Sequence, residues 1–196
     1  MIAGLCGKVA RRLARAYEHW RMVRGTRRPR ELAERVARAN AILFVCTGNI
    51  IRSAFAAELL RARIPGGTDL RIRSAGLAAT DGPAHPTAVQ CARRFGVDLS
   101  PHRTHRLEGS DLEGVDVILA MEIDHVVEIN RRFPQHRQRV YLFGCLEDDA
   151  QDVGDPVYGS REVFEACYKR IDYGVNRIVE MLPRASRPSV ATGSAG

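Results

Sequence analysis

From residue 41 onward, apolar runs of strand length alternate with helical patterns. Apolar runs of strand length predict four strands, a buried one at 41–46 and three more at 70–76, 115–121 and 139–143. Apolar residues at three- and four-residue steps predict helices at 53–64, 85–96, 122–132 and 160–182. This alternation is typical of a parallel sheet covered by helices on both faces. We therefore expect a single α/β domain over residues 40–182, built on a four-stranded parallel sheet.

Both ends of the chain differ from this domain. Residues 1–39 predict a basic helical extension, in which apolar positions recur from Ile2 to Trp20 and a shorter helix follows over 30–39. Residues 1–40 hold eleven Lys and Arg against three Asp and Glu, whereas the remaining residues hold nineteen against twenty. Residues 183–196 are rich in Pro, Ser, Gly and Ala, which predicts a disordered tail.

The distribution of charge excludes some classes of function. The net charge of +7 belongs to the extension, and a nearly neutral domain argues against a nucleic-acid surface. Two interpretations of the extension stay open. In the first, it contacts an anionic membrane as an amphipathic helix. In the second, it packs on the domain or forms a mobile arm. No apolar run approaches the roughly 18 residues of a membrane span. The five scattered cysteines do not suit a disulfide framework, so we expect a cytoplasmic protein.

The candidate chemistry lies in the stretch ILFVCTGNIIRSAF, where Cys46 ends the first predicted strand. In such folds ligands bind beyond the carboxyl ends of the strands. Gly48 and Asn49 tolerate unusual backbone angles, so the loop can turn its N–H groups towards a tetrahedral anion at a helix start. Arg52 adds a two-pronged donor for phosphate oxygens, and Ser53 is predicted to cap the helix. These surroundings favour a nucleophilic thiolate, and the alternative is a buried cysteine that only packs.

A second candidate is Asp155, which precedes Pro156 in an acidic loop. A carboxyl group there can protonate a leaving aryl oxide, an effect of about 10²–10⁴ in rate. The alternative is an ordinary Asp-Pro turn. No histidine has metal-ligand spacing, and we expect neither a metal nor another cofactor. We expect only surface or packing roles for four histidines, His85, His105, His125 and His136.

At this point the sequence resembles the low-molecular-weight protein tyrosine phosphatases, over about residues 40–182. VCTGNIIRSA is similar to the family signature, a strand ending in Val-Cys and followed by x-Gly-Asn-Ile-Cys-Arg-Ser-Pro. Asp155 and Pro156 match the family's acid loop. The family's Ser-Ala-Gly segment matches residues 74–76, and its Gly-Ile/Val…Ser…His segment matches GVDLSPH, which ends at His102.

The resemblance implies a role for each matching residue. Cys46 attacks phosphorus, Arg52 holds the phosphoryl oxygens, and Ser53 stabilises the thiolate. Asp155 protonates the phenolate and then activates water. Asn49, Ser74 and His102 form a buried network that supports the loop. The phosphate-binding residues are Thr47, Gly48, Asn49, Ile50, Ile51, Arg52 and Ser53.

Two departures from the family pattern bear on function. Ile51 replaces a second loop cysteine that in the family can pair with the nucleophile. Val157 stands where the family has an aromatic residue, although Tyr158 follows it.

The resemblance implies a protein-tyrosine phosphatase that acts on a phosphotyrosine-bearing protein. The SAGL segment and the DP…GSREVF segment are similar to a bacterial branch that dephosphorylates tyrosine kinases of exopolysaccharide export. The basic extension would bring the enzyme to the membrane where such a kinase lies. The alternatives are an arsenate reductase, a protein arginine phosphatase, a phosphate-binding module without turnover, and a membrane adaptor led by the basic extension. The stretch MEIDHVVEINRRF lacks the further cysteines that an arsenate reductase needs. An arginine phosphatase needs a small polar residue at the position of Ile50.

Overall fold

The computed structural model describes residues 28–64, 68–147 and 151–183. Its strands are β1 Ala41–Cys46, β2 Arg71–Gly76, β3 Val117–Ala120 and β4 Val140–Leu142. The α-helices of the described residues are α1 Pro29–Val36, α2 Arg52–Arg63, α3 Pro86–Ala92, α4 Ile123–Arg132 and α5 Arg161–Met181. Short 3₁₀ segments lie at Arg93–Phe95, Gly109–Leu112, Pro134–Arg139 and Phe143–Leu146.

The four strands form one parallel sheet in the order β2-β1-β3-β4. Right-handed crossovers from β1 to β2 and from β3 to β4 run in opposite directions, so α2 and α4 cover opposite faces. Helix α5 packs on α2, and α3 packs on α5. Every residue of β1, β3 and β4 is buried. The predicted four-stranded parallel sheet with helices on both faces is confirmed.

The strand order reverses between β1 and β3. The chain moves outward from β1 to β2 and then returns to the other side of β1, where Val45 pairs with Ala120. Ligand crevices of open α/β sheets lie at such a switch point, beyond the carboxyl ends of the strands. The fold therefore places the residues that follow β1 and β3 side by side.

Helix α1 packs into the core. Leu32 and Val36 are fully buried, and the Tyr141 hydroxyl donates to Glu31 Oε1 at 2.8 Å. Burial and this hydrogen bond raise the pKa of Tyr141 to about 12. Arg28 stacks over the Tyr141 ring at 4.7 Å and donates to the carbonyl of Gln138, just before β4. The chain therefore enters the described structure near the amino ends of the strands.

The helix predicted at 30–39 is observed as α1, whereas the helix predicted from Ile2 to Trp20 lies outside the described residues, as do residues 184–196. The helix predicted at 85–96 is α-helical only to Ala92, continues as 3₁₀ to Phe95 and ends at Gly96, whose φ is 74°. Within the described ranges, no helix combines the length and the apolarity needed to cross a membrane.

Candidate active site

The phosphate loop, residues 46–52, joins β1 to α2. Asn49 has a φ of 56°, and no other non-glycine residue in the described parts of the chain has a positive φ. Asparagine adopts this left-handed conformation more readily than most residues. The turn at Asn49 directs its backbone N–H to Cys46 Sγ, at 3.3 Å. The loop thus folds over the sulfur.

The predicted capping role of Ser53 is wrong. Helix α2 has Ile51 at its N-cap, and no side chain caps it. The Ser53 hydroxyl instead lies 3.0 Å from Cys46 Sγ and accepts a hydrogen bond from Asn49 Nδ2 at 2.9 Å. Ser53 therefore contacts the sulfur, as the family resemblance implied.

A network of partly buried hydrogen bonds holds Asn49 in its unusual conformation. Its Nδ2 also donates to Ser74 Oγ at 2.9 Å, and His102 Nε2 lies 2.8 Å from its carbonyl oxygen. The backbone N–H of His105 donates to Asn49 Oδ1 at 2.9 Å. The structure thus brings Asn49, Ser74 and His102 together, and it adds the main chain of His105, which the sequence analysis did not include.

Gly76, at the end of β2, leaves no room for a side chain. A Cβ there would lie 2.8 Å from the Thr47 carbonyl oxygen and 2.9 Å from the Asn49 nitrogen. The next two residues donate to the loop, from Leu77 N to the Cys46 carbonyl and from Ala78 N to the Thr47 carbonyl, both at 2.9 Å. The Ser-Ala-Gly segment and the two residues after it therefore support the phosphate loop through close backbone contacts.

Arg52 is buried, with 1% of its surface exposed, and acceptors surround its guanidinium group. Nη1 donates to the Val153 carbonyl at 2.8 Å and pairs with Glu122 Oε2 at 3.1 Å, while Nη2 pairs with Asp155 Oδ2 at 2.5 Å. Burial opposes the charge, but Cys46, Asp155 and Glu122 outweigh it and raise the pKa of Arg52. A phosphate group that binds to Nη2 would therefore replace Asp155.

Asp155 lies in a loop, the acid loop of residues 151–158, that is anchored to the turn after β3. Val153 N donates to the Met121 carbonyl at 2.8 Å, and Asp152 Oδ1 accepts from Ile123 N at 2.9 Å. Asp155 itself remains one-third exposed, so its carboxylate stands at the mouth of the site. Tyr158 is 99% exposed beside it.

Sequence reasoning missed Glu122 and His125. The prediction of a surface or packing role for His125 is wrong, because its buried ring lies with Nε2 2.9 Å from Thr47 Oγ1 and 3.1 Å from Glu122 Oε2. The hydrogen bond with His125, together with the charge of Arg52, lowers the pKa of Glu122 to about 2 against the effect of burial. The available signal was their position directly after β3, next to the end of β1.

The remaining histidines lie outside this cluster. His85 Nδ1 accepts from Thr87 N at the start of α3, and His105 pairs with Asp111 at 2.8 Å. His136 is buried and bonds Arg139 Nη2 at 2.6 Å. The described part of the chain contains no group of three or more side chains placed to hold a metal ion.

The comparisons with known proteins agree with this geometry. The family model of the low molecular weight phosphotyrosine protein phosphatases matches residues 41–187. The chain is similar to Etp of Escherichia coli, named a low molecular weight protein-tyrosine-phosphatase, with 34% identity over 146 residues that cover 74% of this chain and 96% of Etp. Its structure is similar to that of the Erwinia amylovora tyrosine phosphatase AmsI, with a TM-score of 0.69 and 37% identity over 74% of this chain and 95% of AmsI.

A structure of the arginine phosphatase YwlE from Geobacillus stearothermophilus is also similar, with a TM-score of 0.65 and 30% identity over 71% of this chain and 90% of YwlE. The family match extends over most of the chain, and the tyrosine phosphatase AmsI is more similar to it than this arginine phosphatase is. The chain therefore belongs to the low-molecular-weight protein tyrosine phosphatase family of enzymes, as its sequence predicted.

Proposed function

We propose that this chain hydrolyses phosphotyrosine in proteins through a phosphocysteine intermediate, with Cys46 as the nucleophile. One observation carries the proposal. The Cys46 sulfur lies against the Asn49 amide and the Ser53 hydroxyl, in a loop whose buried Arg52 pairs with a carboxylate at the mouth. A thiolate in such surroundings is stabilised and faces the place where a tetrahedral anion binds.

In the first step, phosphate oxygens of the substrate take the place of Asp155 on Arg52 Nη2. The thiolate of Cys46 attacks phosphorus, and the bond from phosphorus to the phenolic oxygen breaks. Asp155, released from Arg52, takes up a proton that arrives with the substrate or from the solvent and donates it to the leaving phenolate. The loop amides and Arg52 stabilise the charge that spreads over the equatorial oxygens.

In the second step, water attacks the phosphocysteine, and Asp155 accepts a proton from that water. The sulfur–phosphorus bond breaks and inorganic phosphate leaves. The Ser53 hydroxyl, 3.0 Å from the sulfur, donates to the departing thiolate and stabilises it. Asp155 then releases this proton to the solvent and pairs with Arg52 again, so the chain returns to its starting state without a metal or another cofactor.

We also propose the substrate class and the organisation of the chain. Tyr158 is exposed in the acid loop, three residues from Asp155, and offers an aromatic surface on which a phosphotyrosine ring can stack. The proposed partner is a membrane tyrosine kinase of exopolysaccharide export, supported by the resemblance of the SAGL and DP…GSREVF segments. Residues 1–39 form the basic extension, whose helix α1 packs on the phosphatase domain of residues 40–182, and residues 183–196 form the tail.

The test is hydrolysis of p-nitrophenyl phosphate by the wild type, Cys46→Ser and Asp155→Asn. We expect Cys46→Ser to be inactive, and Asp155→Asn to lose about 10²-fold in kcat. Vanadate should compete with the substrate. A panel of phosphotyrosine and phosphoarginine peptides measures the substrate class. Wild-type turnover by Cys46→Ser would exclude the phosphocysteine route, and preference for phosphoarginine would exclude the proposed substrate.

A further inference from the structure

The β3–α4 turn, residues 121–125, contacts the phosphate-binding machinery from outside the phosphate loop. We propose that Glu122 and His125 are a pair of positioning residues: His125 holds Thr47 for binding of a phosphoryl group, and Glu122 orients Arg52 for transfer of that group. The role in catalysis rests on the proposed function. The effect on anion binding does not, because it requires only that the site binds phosphate.

The hydrogen bonds of His125 determine which of its ring nitrogens carries the proton. The backbone N–H of Glu122 donates to His125 Nδ1 at 3.1 Å, which requires a lone pair on that nitrogen. The ring proton is therefore on Nε2. From there the ring donates to Thr47 Oγ1 at 2.9 Å, with Glu122 Oε2 at 3.1 Å as a second acceptor. The Thr47 oxygen is thus held as an acceptor beside the nucleophile.

Glu122 holds the other side of Arg52. Its Oε2 and the Val153 carbonyl both accept from Arg52 Nη1, at 3.1 and 2.8 Å, while Asp155 occupies Nη2. When a phosphate group displaces Asp155, Nη1 keeps both of its partners and only Nη2 changes partner. The ion pair of Arg52 with Glu122 therefore persists when phosphate binds, whereas its ion pair with Asp155 is replaced.

The charge of Glu122 has two opposing effects. It orients the guanidinium group, but it also repels an incoming phosphate dianion across a few ångströms of partly buried protein. Glutamine at this position can still accept from Arg52, although it carries no charge. Removal of the charge alone should therefore loosen the orientation of Arg52 while it relieves the repulsion. This combination lowers kcat without weakening the binding of phosphate.

The experiment compares His125→Leu, His125→Gln and Glu122→Gln with the wild type in the full-length chain. The matched control is His136→Leu, because His136 is equally buried but contacts Arg139 rather than the phosphate loop. Three quantities are measured: the affinity for inorganic phosphate by calorimetry, the kinetics of p-nitrophenyl phosphate hydrolysis across pH, and the melting temperature.

For His125, we expect the leucine variant to bind phosphate about tenfold more weakly, and its kcat/KM to fall about 30-fold. The glutamine variant should stay within about threefold of the wild type, because its amide N–H can replace the donor on Nε2. The control should keep wild-type kinetics even if its melting temperature falls.

For Glu122→Gln, we expect kcat to fall about tenfold while phosphate binds as tightly as before or more tightly. The pKa of Glu122 is about 2, so its carboxylate stays charged over the whole assay range. The shape of the pH–rate profile should therefore match that of the wild type, and only its height should change.

Three results would overturn the inference: wild-type phosphate affinity in His125→Leu, equal losses in His125→Gln and His125→Leu, or weaker phosphate binding in Glu122→Gln. Failure of the proposed function looks different. In that case the wild type does not hydrolyse p-nitrophenyl phosphate. The order of phosphate affinities among the variants still shows whether the two residues position the site.

Discussion

Arg52 retains its charge while almost fully buried because both terminal nitrogens of its guanidinium group have acceptors. A buried charge without partners would destabilise the fold strongly, and here Glu122, Asp155 and the Val153 carbonyl supply them. A bound phosphate group can replace one of these partners without leaving the guanidinium unpaired. The resting site is therefore stable and also prepared for exchange.

Ile51 makes a testable difference at the scale of one residue. It is buried in the phosphate loop, at the position where the family resemblance implies a second cysteine. Cys167 is a poor substitute because burial raises the pKa of its thiol to about 12. We expect mild peroxide to inactivate the wild type. A thiol reductant should then recover less than about half of the activity. Ile51→Cys should recover nearly all of it.

The control for this experiment is Ile51→Ser, which has the size of cysteine without its thiol and should recover as poorly as the wild type. Recovery is measured as p-nitrophenyl phosphate turnover before and after reduction. Complete recovery by the wild type would show that Cys46 has another means of protection.

Which site residues could be predicted depended on whether their neighbours are local in sequence. Cys46, Arg52 and Ser53 lie within one short stretch of the sequence, so their grouping could be recognised without a fold. The contacts of His125 with Thr47 depend on β3 lying beside β1, and 78 residues separate the two side chains. The capping prediction for Ser53 failed because the hydroxyl bonds the nearby sulfur instead of the helix N–H groups.

At the scale of elements, the β3–α4 turn supports both loops of the active site. Its side chains at 122 and 125 contact the phosphate loop, and its backbone at 121 and 123 holds the acid loop. One short segment thus fixes the position of the acid relative to the nucleophile. Neither loop alone would fix this relative position.

Asp152 tests the anchoring of the acid loop. Asp152→Ala removes the acceptor of the hydrogen bond from Ile123 N, so the acid loop should hold Asp155 less well. We expect kcat/KM for phenyl phosphate, whose leaving group needs a proton, to fall about tenfold. For p-nitrophenyl phosphate, with a better leaving group, it should fall less than about threefold.

The matched variant is Asp152→Asn, which keeps an oxygen acceptor and should behave as the wild type. Affinity for inorganic phosphate should be equal in all three proteins. An equal loss on both substrates would mean that Asp152 does not act through the acid.

Strands were easier to predict than the ends of helices. Continuous apolar runs mark β1 and β3 because both faces of a parallel sheet are covered, and the observed bounds of β1 equal the predicted ones. Helix α3 ends earlier than predicted, since the chain tightens into 3₁₀ geometry before the left-handed Gly96. The periodicity of side chains does not distinguish the last turn of an α-helix from a 3₁₀ turn.

At the scale of the whole molecule, α1 tests how much of the chain the fold requires. Deletion of residues 1–27 should leave the free energy of unfolding within about 1 kcal/mol of the wild type, because α1 and its contacts remain. Deletion of residues 1–38 exposes the sites of Leu32 and Val36 and removes the Glu31–Tyr141 hydrogen bond. We expect this to lower the free energy of unfolding by about 3–6 kcal/mol.

Urea denaturation of the two truncated proteins measures the difference. Equal stability would mean that α1 is not part of the cooperative unit. A truncation that tests membrane contact by the extension should therefore stop at residue 27, so that loss of binding is not confused with unfolding.

The docking of α1 also sets a direction. Arg28 lies beside Gln138 at the amino ends of the strands, while Cys46 and Glu122 follow their carboxyl ends. A six-residue strand separates these two poles by about 20 Å. A surface that bound the chain directly before Arg28 would therefore lie at the end of the sheet opposite the catalytic mouth. In that orientation the mouth would face a target that extends away from the surface rather than one that lies flat against it.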